Sequence, residues 1–371
     1  MKRSSIFLCI SLLFIYSQGF GSDKKADKTK NILEVSGYIY TQFSQQLDGK
    51  TRKEYGFQVP RMYLHLKKRI DKIWRFQFTF DGGILSSSGD YTDSLGNTNA
   101  IETDSKRYEI FLKYGYAEAT IINNEKISLK SKFGLIDTPI ILYFNQISNY
   151  RWIDKNYIDN ATKLLSGIQI DNSADVGGRL DLSIYKRTAF SYALVNGEGF
   201  KNVASETYRG KAHYFKVSIS PFRKLYINGF ARVEFYEPGK VNIFYGMGAA
   251  WKSYKVKTGI NYITGTKEID SKDEDKNIDY TLLEAWFNCN LKSALAIPIL
   301  VYGQIGLGSY ESKVPDVKSS STETFRSAAG MGYKFNSKMK VGVYYTWFSY
   351  KDVVEGDQDS NDFYVKSEFR F

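Results

Sequence analysis

The chain has 371 residues, a formal charge of +11 from 51 Lys and Arg against 40 Asp and Glu, and a mean hydropathy of −0.37. Beyond an apolar run near its start, no stretch approaches the roughly 18 consecutive apolar residues of a transmembrane helix, so a membrane-spanning reading requires a closed β-barrel. Tyr (29) and Phe (25) are abundant and Pro is scarce (6), which suits strands and interfacial aromatics better than a helical domain. The basic excess is compatible with a solvated surface, an anion-attracting cavity or a contact with anionic lipid.

Residues 1–22 read as a secretory signal. Lys2 and Arg3 precede an apolar run from Ile6 to Tyr16, and Gly19, Phe20 and Gly21 offer a small-x-small cleavage site. Cys9 lies inside the apolar run without the small residues expected before a lipidated cysteine. After cleavage Cys289 alone remains, which excludes an intramolecular disulfide. Residues 23–31 form a short charged lead with too little apolar content to pack.

Alternation then takes over. Met62, Leu64 and Leu66 oppose Arg61, Tyr63, His65 and Lys67, and after a tight turn at Asp71 and Lys72 the run Trp74, Phe76, Phe78, Phe80 opposes Arg75, Gln77, Thr79, Asp81. Four successive large aromatics on one face call for lipid or a thick core. The same rule places strands near 32–47, 55–69, 74–85, 107–122, 127–137, 175–186, 188–195, 211–220, 225–236, 242–253, 256–266, 279–291, 296–311, 324–336, 339–351 and 361–371. Short links alternate with long ones, as an up-and-down barrel inserted from one side demands; the short link at 237–241 breaks the pattern.

The longest insertion, 138–174, carries a helical pattern between Asn149 and Leu165, with Trp152, Ile153, Tyr157 and Leu164 within reach of one face and Arg151, Lys155 and Asp159 turned elsewhere. Loops of this length usually have a function, and intrusion into the lumen is expected, with a surface cap as the alternative. Asp273, Asp275, Asn277, Asp279 and Glu284 come near a calcium-loop spacing, but Ile278 stands where the sharp turn needs Gly, and the segment reads as an exposed acidic loop. His65, His213 and Cys289 have no neighbouring nucleophile or carboxylate motif, so no enzyme activity, cofactor or metal is expected, and no nucleic-acid motif is visible. A barrel-anchored hydrolase or adhesin remains as an alternative of a different class.

In the final stretch Phe363, Val365, Phe369 and Phe371 share one face, broken by Ser367, while Tyr364, Lys366, Glu368 and Arg370 share the other. This resembles the closing strand of an outer-membrane barrel with its terminal aromatic signal for the assembly machinery, against the plainer reading of a soluble edge strand. Closure would lay Val35–Phe43 beside Phe363–Phe371.

Four segments are distinctive in order and spacing: Phe57–Leu64 followed by Trp74–Asp81; Lys132–Pro139, with Gly134 and then Thr138 and Pro139 ahead of a long third loop; Asp175–Arg179; and Phe190–Gly199, with Asn196 and Gly197 closing a strand pair. Together they resemble the phosphate-selective porin O and P family. The likeness covers about the first 220 residues, ending at Gly210–Phe215, and beyond it strand periodicity and the final Phe agree. It implies a trimeric sixteen-stranded all-β channel for anions, with the third loop folded into the lumen. Basic residues interspersed with acids, in place of a dense arginine ladder, set this chain apart from the phosphate-selective members.

The expectation is therefore a porin in the outer membrane of a Gram-negative bacterium, surrounded by lipid and admitting small hydrophilic solutes with a preference for anions. An unselective or sugar-admitting porin is the alternative. Strand parity turns Arg61, Arg75, Lys113, Lys130, Lys132, Arg179, Lys216, Arg232, Arg326, Lys366 and Arg370 toward the lumen, interleaved with Asp81, Asp181, Glu234, Glu284 and Glu368. Arg151 and Lys155 are expected at the constriction. Selection needs several such cations along a narrow, low-dielectric path.

Overall fold

The computed structural model describes residues 33–48, 55–86, 89–92, 98–101, 106–148, 151–159, 161–165, 169–197, 199, 210–237, 240–271, 274–292, 296–313, 320–352 and 358–371. The signal and the charged lead expected over 1–22 and 23–31 lie outside them.

In chain order the strands are β1 (Leu33–Asp48), β2 (Tyr55–Arg69), β3 (Trp74–Ser86), β4 (Gly89–Thr92), β5 (Thr98–Ile101), β6 (Lys106–Asn123), β7 (Ile127–Asp137), β8 (Ala174–Ile184), β9 (Thr188–Val195), β10 (Ala212–Ile219), β11 (Leu225–Glu237), β12 (Lys240–Lys252), β13 (Val256–Ser271), β14 (Glu274–Asn290), β15 (Ile299–Lys313), β16 (Ser320–Lys334), β17 (Met339–Asp352) and β18 (Gln358–Arg370). Sixteen of them pair antiparallel with their chain neighbours into a closed barrel, while β4 and β5 form a separate two-stranded ladder inside the long β3–β6 connection. Each of the sixteen lies within a few residues of its expected place.

Closure comes from β1 on β18, with Tyr38 opposite Arg370 and Gln45 opposite Phe363. The expected pairing was two residues out. A slip of two keeps every side chain on its face, so parity alone cannot detect it. Gly37 and Phe371 exchange backbone hydrogen bonds of 3.3 and 3.2 Å, and the Phe371 ring lies over Gly37 where a β-carbon would stand.

The supposed acidic loop is mostly ladder. β13 runs on to Ser271 and β14 starts at Glu274, with Thr266 opposite Asp279 and Asp270 opposite Asp275. Asp273 lies outside the described residues; extended backbone spaces Asp275, Asn277, Asp279 and Glu284 at about 3.4 Å per residue along one strand, so these four cannot wrap around one ion.

Burial is inverted relative to a water-soluble sheet. Phe78, Ile110, Phe133, Phe215, Tyr245, Met247, Ile305 and Met331 are exposed on the outer face. Their strand neighbours Thr79, Lys132, Tyr214, Phe244 and Gln304 are buried inside. An apolar exterior of this extent is what lipid requires.

Candidate functional site

The lumen is narrowed by the segment between β7 and β8. Its two ends are clipped together where Thr138 Oγ1 donates to the Asn172 carbonyl at 2.5 Å and Thr138 N donates to the Ser173 carbonyl at 3.3 Å. Pro139, whose missing N–H costs nothing at a first helical position, opens helix α1 (Pro139–Ser148). Ile140, Ile141, Phe144 and Ile147 are buried on it, and Phe144 meets Phe230 of β11 edge-on at 5.4 Å. A single turn, α2 (Ala161–Leu164), follows later.

The helix expected over 149–165 is thus replaced by α1 upstream, turns through 151–159, and α2. The reason is local: Asp154 Oδ1 accepts from Lys155 N and Asn156 Oδ1 accepts from Asp159 N, each at 2.9 Å, side-chain bonds that compete with helical ones. Trp152, Ile153, Tyr157 and Leu164 are nevertheless all buried, in one cluster with wall residues of β6, β7, β9 to β15 and β17. Removing such a side chain from water is worth about 1.5–3 kcal/mol, which holds the segment inside.

Polar contacts fix its position on the far wall. Arg326 Nη2 donates to Asp154 Oδ2 at 2.6 Å, Tyr157 Oη to the Arg326 carbonyl at 3.2 Å and Thr324 Oγ1 to the Leu164 carbonyl at 2.7 Å. Lys366 Nζ donates to the Ile153 carbonyl at 2.8 Å, and Gln304 Nε2 to the Lys155 carbonyl at 3.4 Å. Glu284 accepts from Tyr157 N, Asn261 and Gln304. The Tyr157 ring fills the space where a side chain at Gly306 would be.

The wall cations face inward as parity indicates, but carboxylates on adjoining strands hold most of them. Asp81 takes Lys113 at 3.1 Å and Arg61 at 3.5 Å; Glu118 takes Arg75, Lys130 and Lys132 at 2.9, 3.6 and 3.9 Å. Asp137 joins Lys132 at 2.8 Å and also Arg179, which reaches Asp181 at 2.8 Å. Arg232 pairs with Glu234 at 3.0 Å and lies 3.9 Å from Asp171, while Glu368 accepts from Lys340 and Arg370. Lys113, Lys132, Arg179, Arg232 and Arg326 are buried, so these five are structural members of the wall rather than groups standing in open water. Breaking one such buried pair by removing a single partner costs about 3–5 kcal/mol. Lys113 turns inward at a bulge, where Tyr114 pairs with Thr79 and Leu112 with Phe80.

At the segment itself Arg151 is joined to Asp159 and donates to Asn145 at 3.3 Å. Burial alone would raise the Asp159 carboxyl; Arg151, followed by Lys155 and Lys113, outweighs it and holds the group at about 2. Lys155 is pushed down to about 8, first by burial and then by Arg61 and Arg151, with Asp159 opposing. Asp171, near the end of the segment, is raised to about 7 by burial against the pull of Arg232 and a 2.6 Å bond from Tyr214 Oη. Among the described residues Lys155 and Lys216 form no ion pair; Lys216 Nζ lies over the Tyr143 ring at 4.8 Å.

Sequence reasoning passed over Asp137, Asp154 and Asp171 as partners, and the tyrosines of β1 and β2 as lumenal groups. Strict alternation beside Arg61 and His65 was the signal for Tyr63. His65 Nδ1 lies 2.9 Å from Thr79 Oγ1 inside, whereas His213 meets Tyr192 at 3.0 Å near the exposed outer surface.

A family model for the outer membrane protein beta-barrel domain matches residues 221–371. This is the part of the chain that the porin O and P likeness left to periodicity. Among solved structures, the outer membrane channel DcaP of Acinetobacter baumannii superposes with a TM-score of 0.60 at 11% identity, covering 95% of this chain and 99% of that one. The fold is that of the outer-membrane porins. OmpF of Salmonella typhi in complex with daunomycin gives 0.59 at 12% identity over 92% and 98% of the two chains. An anion-selective porin from Comamonas acidovorans gives 0.57 at 10% over 92% and 99%. No curated protein sequence matches the chain.

Proposed function

We propose that this chain is a porin of a Gram-negative outer membrane, a water-filled channel through which small hydrophilic solutes diffuse with a modest preference for anions. The observation that carries the reading is the anchored segment, which narrows the lumen beside Arg151 and Lys155 where few counter-ions fit. Pairing of most wall cations argues for a modest preference instead of strong selection. Affiliation with the phosphate-selective O and P family is supported by the motifs of the first 220 residues, and a homotrimer by the trimer form in which OmpT of Vibrio cholerae, a similar fold at 12% identity, is described.

The test is the reversal potential of the purified protein in planar bilayers under a salt gradient. An anion-preferring sign is expected, and neutralising Arg151 with Lys155 should reduce it more than neutralising Lys126 with Lys338, which are exposed in turns between strands. A cation-preferring wild type would overturn the reading; equal effects from the two pairs would assign selectivity to overall charge.

A further inference from the structure

The segment is fastened to β14–β18, and space is left beside it, against β1, which adjoins β18, and against β2 and β6. There a recess of about 170 Å³ is lined by Tyr38, Tyr40, Tyr63, His65, Lys113 and Arg151, among others. At about 30 Å³ per water it has the room of five or six waters, that of one small ring and a short substituent.

One side of it is aromatic. The Tyr63 and His65 rings lie 5.9 Å apart at 8°, and Tyr38 and Tyr40 6.4 Å apart at 4°. Tyr38 meets His65 edge-on at 5.5 Å and Tyr40 meets Tyr63 edge-on at 6.2 Å, so the four rings form one continuous patch.

The other side is cationic. Arg61 Nη1, Lys113 Nζ and Arg151 Nη2 approach the single Tyr63 hydroxyl oxygen, at 3.0, 3.4 and 3.4 Å. A phenol oxygen offers two lone pairs and no charge, and bonds of 3.4 Å are long, so a stronger acceptor placed here gains more than Tyr63 supplies. The surrounding charges are unbalanced as well. Among the described charges around it, Arg61, Lys113, Arg151, Lys155 and Arg370 stand against Asp81, Asp159 and Glu368, a surplus of positive charge.

We propose that this recess is a solute-binding site for small carboxylates that carry an aromatic ring, the ring against Tyr38, Tyr40, Tyr63 and His65 and the carboxylate toward Lys113 and Arg151. The proposal rests on the channel reading for its physiological meaning, since it names the solute class the constriction retards and selects. A bare inorganic anion leaves the ring wall unused. A neutral ring or a sugar leaves the surplus charge uncompensated.

Benzoate, acetate and benzyl alcohol are suitable probes, titrated calorimetrically into the full chain folded in detergent, with chloride conductance of the same preparation recorded in bilayers. Benzoate is expected to bind at least ten-fold more tightly than either of the others and to block chloride current in a concentration-dependent way. Tyr38→Leu with Tyr40→Leu should erase the difference between benzoate and acetate; heat-modifiable migration reports whether that variant folds, and the comparison of probes on the wild type needs no variant. Equal binding of benzoate and acetate, or tighter binding of benzyl alcohol, would overturn the proposal while leaving conduction intact. A folded protein that binds benzoate selectively yet carries no current would instead uphold the site and overturn the channel reading.

Discussion

Glu118 sits under three cations, Arg75, Lys130 and Lys132, and cancels part of the charge on that stretch of wall. Changing it to Gln keeps its shape and frees the three from their shared partner. Glu118→Gln should therefore raise anion-over-cation permeability, read as a larger reversal potential in the anion direction. No change would place these cations outside the ion path. Asp171 makes a different kind of expectation. Its folded carboxyl titrates at about 7, above the ordinary 3.8, because burial penalises the anion more than Arg232, Tyr214 and the Asn172 amide reward it, with Asp159 adding to the rise. A raised acid favours folding when protonated: its contribution is full below about 3.8 and is lost as pH climbs to about 7. Protection of the amides of residues 169–173, corrected for the base catalysis intrinsic to exchange, should accordingly fall between about pH 4 and 7. Asp171→Asn should flatten that dependence, and an equally steep one in the variant would assign it to another group.

At the scale of elements, the strands were legible and the segment between β7 and β8 only half so. Period-two alternation is a local property, and it placed Arg75, Lys132 and Arg232 on the correct face without any knowledge of their neighbours. Their partners were hidden because pairing depends on register: Lys113 and Asp81 meet across 32 positions of sequence, and Arg326 and Asp154 across 172. The helix was misplaced because apolar spacing in 152–164 fits a helix, while Asp154 and Asn156 bend the backbone into turns by their own hydrogen bonds. Burial survived the error, since the same side chains reach the same wall by another path. Excising the segment between Tyr150 and Lys163 should raise single-channel conductance. Unchanged conductance in a folded variant would show that the segment does not limit flow.

For the whole molecule the decisive contact is the seam between the first and last strands. The Phe371 ring covers the bare backbone of Gly37, and the two residues exchange both of their backbone hydrogen bonds. Loss of Phe371 removes that cover and one end of the β1–β18 ladder. Its deletion should lower the yield of heat-modifiable folded barrel while export proceeds; wild-type yield would mean that the remaining pairs from Tyr38 to Asp48 suffice.

The seat of the inward segment also has a mechanical side. Its ends spring from β7 and β8, and its middle is fastened to β15 and β16, which stand eight places away in a ring of sixteen. The chain therefore carries a strut across its own diameter. Lateral pressure from the surrounding lipid tends to flatten a thin-walled tube into an ellipse, and along this diameter such flattening has to compress or tear the bonds of Asp154, Tyr157 and Leu164. The residues that narrow the passage thus also tie two opposite walls of the tube together.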